Sequence, residues 1–140
     1  MPGETDLTRL LASLDPVLDD REFGYAIVPH GTTLPAGFHP LGMFHEAEGV
    51  TLIAPAADLA AAGIESQTGL ARLTMMVQSS LEAVGMTAAM ATALTRVGIS
   101  ANVVAAYHHD HIFVPWDRRD EAVAALQSLA GPAQGGGRTS

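Results

Sequence analysis

Residues 78–115 read QSSLEAVGMTAAMATALTRVGISANVVAAYHHDHIFVP, and their hydrophobic period changes twice. The run LARLTMMVQ (70–78) that leads into them is apolar enough for a strand. After the loop SSLEAVG, the apolar positions Met86, Ala89, Met90, Ala93, Leu94 and Val97 recur at helical spacing, and Gly98 supplies a stop. Two short strands follow, NVVAAYH and HIFVP, with His109-Asp110 expected in the turn between them. Asp117 is then placed to cap a last helix that turns Val123, Leu126 and Ala130 inward.

The N-terminal half follows the same plan with one part missing. Leu7, Leu10, Leu11 and Leu14 give a short amphipathic helix ended by Asp15-Pro16, and FGYAIVP (23–29) reads as a strand. The segment HGTTLPAGFHP, with two glycines and two prolines, cannot sustain a helix. LGMFHEAEG and VTLIAP form two strands around a Glu48-Gly49 turn, and Pro55 opens an alanine-rich helix stopped by Gly63. The strands at Phe23 and Val50 start 27 residues apart, those at Leu70 and His111 start 41 apart, and the difference is the length of one helix with its cap. The first half is thus the second with its first helix replaced by a Gly/Pro loop. A repeat of β-(α)-β-β-α units implies an α+β fold of the ferredoxin-like, split βαβ kind: an antiparallel sheet with helices on one face.

Composition excludes several classes of function. The chain has 140 residues, 48% of them hydrophobic, which is enough to bury a core. It has no cysteine, so disulfides, thiolate metal sites and cysteine nucleophiles are excluded. It has no lysine either, and its seven arginines face 15 acids for a formal charge of −8, so nucleic acid and anionic membranes are poor partners. Without an 18-residue apolar run or a basic leader, a cytoplasmic location is expected.

Three features bear on chemistry. In YHHDHIFVP three histidines and an aspartate stand together, but adjacent strand residues point to opposite faces, so His108 and His109 do not converge easily on one ion and the polar-hairpin reading is preferred to a metal site. Ser79 and Ser80 lack the glycine frame of a nucleophile elbow. Gly85 and Thr87 stand where a loop opens a helix, whose first N–H groups favour an anion such as a carboxylate. The grouped methionines Met75, Met76, Met86 and Met90 read as adaptable core filling.

Taken together, the serine pair, LEAVGMTA, ISANV and HDHIFVP resemble the motif set of a small bacterial family of tandem ACT-domain proteins, most closely over residues 78–115 and more loosely through EGVTLIAP. More distantly, the chain is similar to the ACT repeats of the CASTOR arginine sensors. Two positions differ from that family: Gln78 stands where histidine is common, and Ala106-Tyr107-His108 where Gly-Tyr-Tyr is common. The resemblance implies two ACT-like modules that bind an amino acid or related metabolite, without catalysis and without a cofactor. Carried over residue by residue, it implies a ligand site at Ser79, Ser80, Gly85, Met86 and Thr87, with Asn102 and Val103 on a facing strand and Asp110 holding an ammonium group. The expected organisation is an N-terminal helix (1–18), a truncated first module (19–66), a second module (67–130) and a disordered tail (131–140). Only six strands are legible where two modules need eight, and the strand at 70–78 can close the first module or open the second. A module short of strands points to completion by a second copy, hence a homodimer. The alternative is a ligand-free module that dimerises or docks onto a metabolic enzyme.

Overall fold

The computed structural model describes residues 15–76 and 83–130. The expected N-terminal helix (through residue 14), Ser79, Ser80 and the tail from 131 lie outside the described residues. The elements are β1 (Val17–Val28), β2 (Gly42–His45), β3 (Val50–Pro55), α1 (Ala56–Ala61), β4 (Gln67–Met76), α2 (Ala83–Arg96), β5 (Asn102–Ala105), β6 (His109–Pro115), a 3-10 turn (Trp116–Arg118), α3 (Arg119–Gln127) and a last 3-10 turn (Ser128–Ala130).

The chain divides into two compact units, Asp20–Ala71 and Met1–Asp19 with Arg72–Ser140, and it passes from one to the other inside β1 and again inside β4. Each unit therefore draws on four strands, two of them shared. In Asp20–Ala71 the order is β2-β3-β1-β4, and in the other unit it is β1-β4-β6-β5. The two long strands each serve both units, which is how six strands do the work of eight. β1 accordingly starts at Val17, six residues before the strand expected at Phe23, and β4 both closes one unit and opens the other.

In the unit Asp20–Ala71, the antiparallel pairings Gly24↔Ala54, Ala26↔Leu52 and Val28↔Val50 put one face of β1 and β3 together. Ala26, Val50, Leu52, Ala54 and Leu59 form its core. The Gly/Pro loop that stands in place of a helix sends Leu34 and Phe38 down to cover this core, beside Val28 and Ile64. In the other unit, the buried side chains include Leu73 and Met75 of β4, Met86, Met90 and Leu94 of α2, Ile112 and Val114 of β6, and Ala122 and Leu126 of α3. Three of the grouped methionines thus fill core, as their softness suits them to do.

Both helices that precede a glycine end alike. Gly63 (φ +72) bonds back to Ala60 while Ile64 bonds to Leu59; Gly98 (φ +72) bonds to Thr95 while Ile99 bonds to Leu94. This is the Schellman arrangement, which needs a left-handed residue after the helix, and in both cases an isoleucine beyond the glycine reaches back to the leucine of the last turn.

Four local expectations are corrected. The β5–β6 turn is centred on Tyr107-His108, with the Ala106 N–H bonded to the His109 carbonyl at 2.9 Å, so His109-Asp110 belong to β6. Asp117 lies within the 3-10 turn and makes no side-chain cap for α3. Ala122 is fully buried with Leu126 four residues on, one helical turn away on the same face, whereas Val123 is only half-buried. Val97 is also left largely exposed, beyond the last turn of α2.

Candidate functional site

Asp110 is the buried acid of the second unit. It sits in β6 opposite Ala105, on the same face as Ile112 and Val114, and retains 6% of its exposure. Burial raises its pKa above the ordinary carboxylate value, because the charged form loses water. Among the described residues no side chain donates a hydrogen bond to it. A charged carboxylate in such a place is costly for folding unless it is paired, and an ionisable group so placed is a candidate for function.

The other expected site residues are distributed as follows. Met86 is fully committed to the core and has no side-chain surface left for a ligand. Gly85 is half-buried and lines a groove of about 510 Å³ between α2 and α3, with Ala88, Ala89 and Arg96 among its neighbours. Thr87 is exposed on the first turns of α2. Asn102 and Val103 are exposed on β5, which pairs only with β6 and so forms a sheet edge. Cross-strand pairing sorts them: Val103 lies opposite Ile112 and shares the face of Asp110, whereas Asn102 lies opposite Phe113 on the reverse face. At about 3.4 Å per residue, Asn102 also stands about 10 Å along the strand from the row that holds Asp110. One pocket on one face therefore takes the Val103 and Asp110 side chains together and leaves the Asn102 side chain aside.

The reverse face carries a polar network. Arg72 donates from Nη1 to Asp19 Oδ2 at 3.2 Å and from Nε to His111 Nδ1 at 3.3 Å, and Thr74 Oγ1 lies 3.2 Å from the same nitrogen. An arginine N–H can only donate, so Nδ1 must accept and the imidazole is neutral, its proton on Nε2. Desolvation, then Arg72 and His109, all lower the His111 pKa, in agreement with that geometry. Asp19, Arg72 and His111 are 39 or 53 positions apart, so their contact left no mark in the sequence. The alternation in LARLTMM was the available signal, since it sets Arg72 and Thr74 on the face opposite Leu73 and Met75. Among the described residues no group of His, Asp and Glu side chains is arranged to hold a metal.

Near the last helix, Arg118 donates to the Val97 and Gly98 carbonyls at the C-terminal end of α2 and pairs with Glu121. Arg119 stacks over Trp116 at 3.8 Å and donates to its carbonyl. These contacts engage both arginines in fixing the helix ends.

Comparison with known proteins places this geometry. The ACT domain matches twice, over residues 2–71 and over 65–128, and the overlap falls at the start of β4. A crystal structure from Vibrio cholerae, described as a protein of unknown function and possible transport protein, is 38% identical, with a TM-score of 0.81 over 92% of this chain and 99% of that one. Aspartate kinase from Clostridium acetobutylicum shares the fold at 12% identity, with a TM-score of 0.64 over 83% of this chain and 34% of the enzyme. The ligand-free regulatory subunit of aspartate kinase from Thermus thermophilus does so at 11% identity, with a TM-score of 0.58 over 81% and 95%. No curated protein matches the chain.

Proposed function

Because the chain belongs to the ACT-domain family, we propose that it is a regulatory protein without catalytic activity, binding a small amino acid or related metabolite in its second unit. Asp110 carries this reading: a buried carboxylate without a described donor, on the sheet face that Val103 shares, is suited to an ammonium group. The N–H groups at the start of α2, with Gly85 and Thr87, would meet the ligand carboxylate, and Ser79 and Ser80, which precede α2 in the sequence, would add hydroxyl contacts. Met86 supports the site from the core; the Asn102 main chain is engaged with Phe113 across the β5–β6 ladder, so Val103, whose main-chain groups face the open side of β5, would be the edge contact.

Calorimetric titration with the twenty amino acids tests this. Saturable heat with at least one of them, lost in Asp110→Asn while the fold persists, is the expected result. Silent titrations and unchanged melting temperatures across the panel would refute it.

A second reading, docking onto a partner enzyme or onto a second copy, is favoured by the edge strand β2, where Met43 and Phe44 are 43% and 51% exposed and Leu41 beside them 39%. Sedimentation at micromolar concentration distinguishes a monomer from a dimer, and Phe44→Lys should dissociate any dimer built there.

A further inference from the structure

The unit Asp20–Ala71 has an open strand edge that faces a cavity. The β2–β3 turn is closed by reciprocal main-chain bonds between Glu46 and Gly49, and the Leu41 N–H bonds to the Ile53 carbonyl. These bonds fix the phase of the ladder. Thr51 and Ile53 direct their main-chain groups towards β2, so Val50, Leu52 and Ala54 direct theirs towards β1. Their partners there are Val28, Ala26 and Gly24, and the intervening Ile27 must point its N–H and C=O the other way, towards the side of β4. Yet β4 begins only at Gln67, whose carbonyl lies beside Gly24. Beyond that row residues 63–66 leave the sheet, and among the described residues no main-chain bond joins them to Ile27.

The space so opened is a cavity of about 810 Å³, lined by Ile27, Thr32, Ile64, Glu65, Ser66 and Gln67 among others. That volume falls in the range of about 300–1,000 Å³ usual for small-ligand pockets. Ile27 and Ile64 supply apolar walls, Thr32, Ser66 and Gln67 supply hydrogen-bonding groups, and Glu65 is the one charged residue of the lining. No arginine or histidine lines it, in a chain whose formal charge is −8.

We propose that this open edge of β1 takes a short extended peptide bearing a positive charge, which adds as a strand beside Ile27 and sets its cation against Glu65. A strand edge presents a donor and an acceptor side by side, and a peptide residue in extended conformation returns an acceptor and a donor at the same spacing. A free amino acid has no amide to return. The site is separate from the one proposed for the second unit, and it stands whether or not amino acids bind there.

The test uses the full chain and the tripeptide Ala-Lys-Ala, the same peptide with both amides N-methylated, and free lysine. Saturable binding of Ala-Lys-Ala is expected, with hydrogen exchange at the Ile27 amide slowed on saturation, and with at least tenfold weaker binding of the methylated peptide and of lysine. Glu65→Gln, checked for an unchanged melting temperature, should weaken the tripeptide at least threefold. No binding at millimolar peptide, equal binding of the methylated peptide or of lysine, or an Ile27 amide that exchanges as before would each overturn the proposal. The Ile27 exchange requires no variant, so it decides the matter even where a substitution disturbs folding.

Discussion

His111 and Asp110 are neighbours in one strand, on opposite faces, and burial moves their pKa values in opposite directions because it favours the neutral form of each. For His111 the folded-state pKa is lowered, first by desolvation and then by Arg72 and His109. Between that depressed value and the unfolded value of about 6.5, the unfolded chain binds more protons. The His111 contribution is therefore complete above about pH 6.5 and is lost as the pH falls below it. Urea midpoints should drop between pH 7.5 and pH 5, and His111→Phe should remove part of that slope; an equal slope in the variant would refute the assignment. For Asp110 the folded pKa is raised, so its charged form opposes folding once the pH rises through that value. Asp110→Asn is expected to raise the melting temperature at neutral pH while it abolishes amino-acid binding. A variant that loses stability instead would mean that the carboxylate has a stabilising partner.

The helix ends test the repeat at the scale of elements. Gly98→Ala puts a side chain on a left-handed residue and should cost about 1 kcal/mol, read from the denaturation midpoint. Gly63→Ala should cost a similar amount, since its bonding to Ala60 and Leu59 has the same form. Within the sheet, Gly24 has no room for more: an added Cβ would lie 2.9 Å from the Gln67 carbonyl and 3.3 Å from Leu59 Cδ1. Gly24→Val should therefore shift β4 against β1 and cost about 1–3 kcal/mol, the usual range for overpacking. Met90→Ala, which empties a fully buried position of α2, should cost about 2–5 kcal/mol.

For the whole molecule the governing fact is that both crossings between units occur inside strands. Cutting the chain between Ser66 and Gln67 removes the β4 half that closes Asp20–Ala71, and it takes the start of β1 from the other unit. Fragments 1–66 and 67–140 are expected to be unfolded alone by circular dichroism, and to regain structure when mixed. Two independently folded fragments would show that the shared strands are dispensable. The argument for a homodimer changes with this: no strand has to be borrowed, so self-association would rest on the apolar edge at Met43 and Phe44 instead.

Local signals in the sequence determined the order of the elements, the helix stops at Gly63 and Gly98, the loop in place of a helix at 29–41, and the ACT resemblance. Each of these follows from periodicity or from a backbone preference that acts over a few residues. Tertiary structure decided what depends on pairing between distant segments. It assigned β4 to both units, turned Asp110 from a hairpin corner into a buried acid, and put Val103 rather than Asn102 on the face of Asp110. It also joined Asp19 to His111 through Arg72, and among the described residues left no main-chain bond between 63–66 and Ile27. The physical reason is the two-residue period of a strand. A turn placed one residue away moves every side chain to the other face, and register is set by the partner strand, which the sequence of one strand alone does not contain.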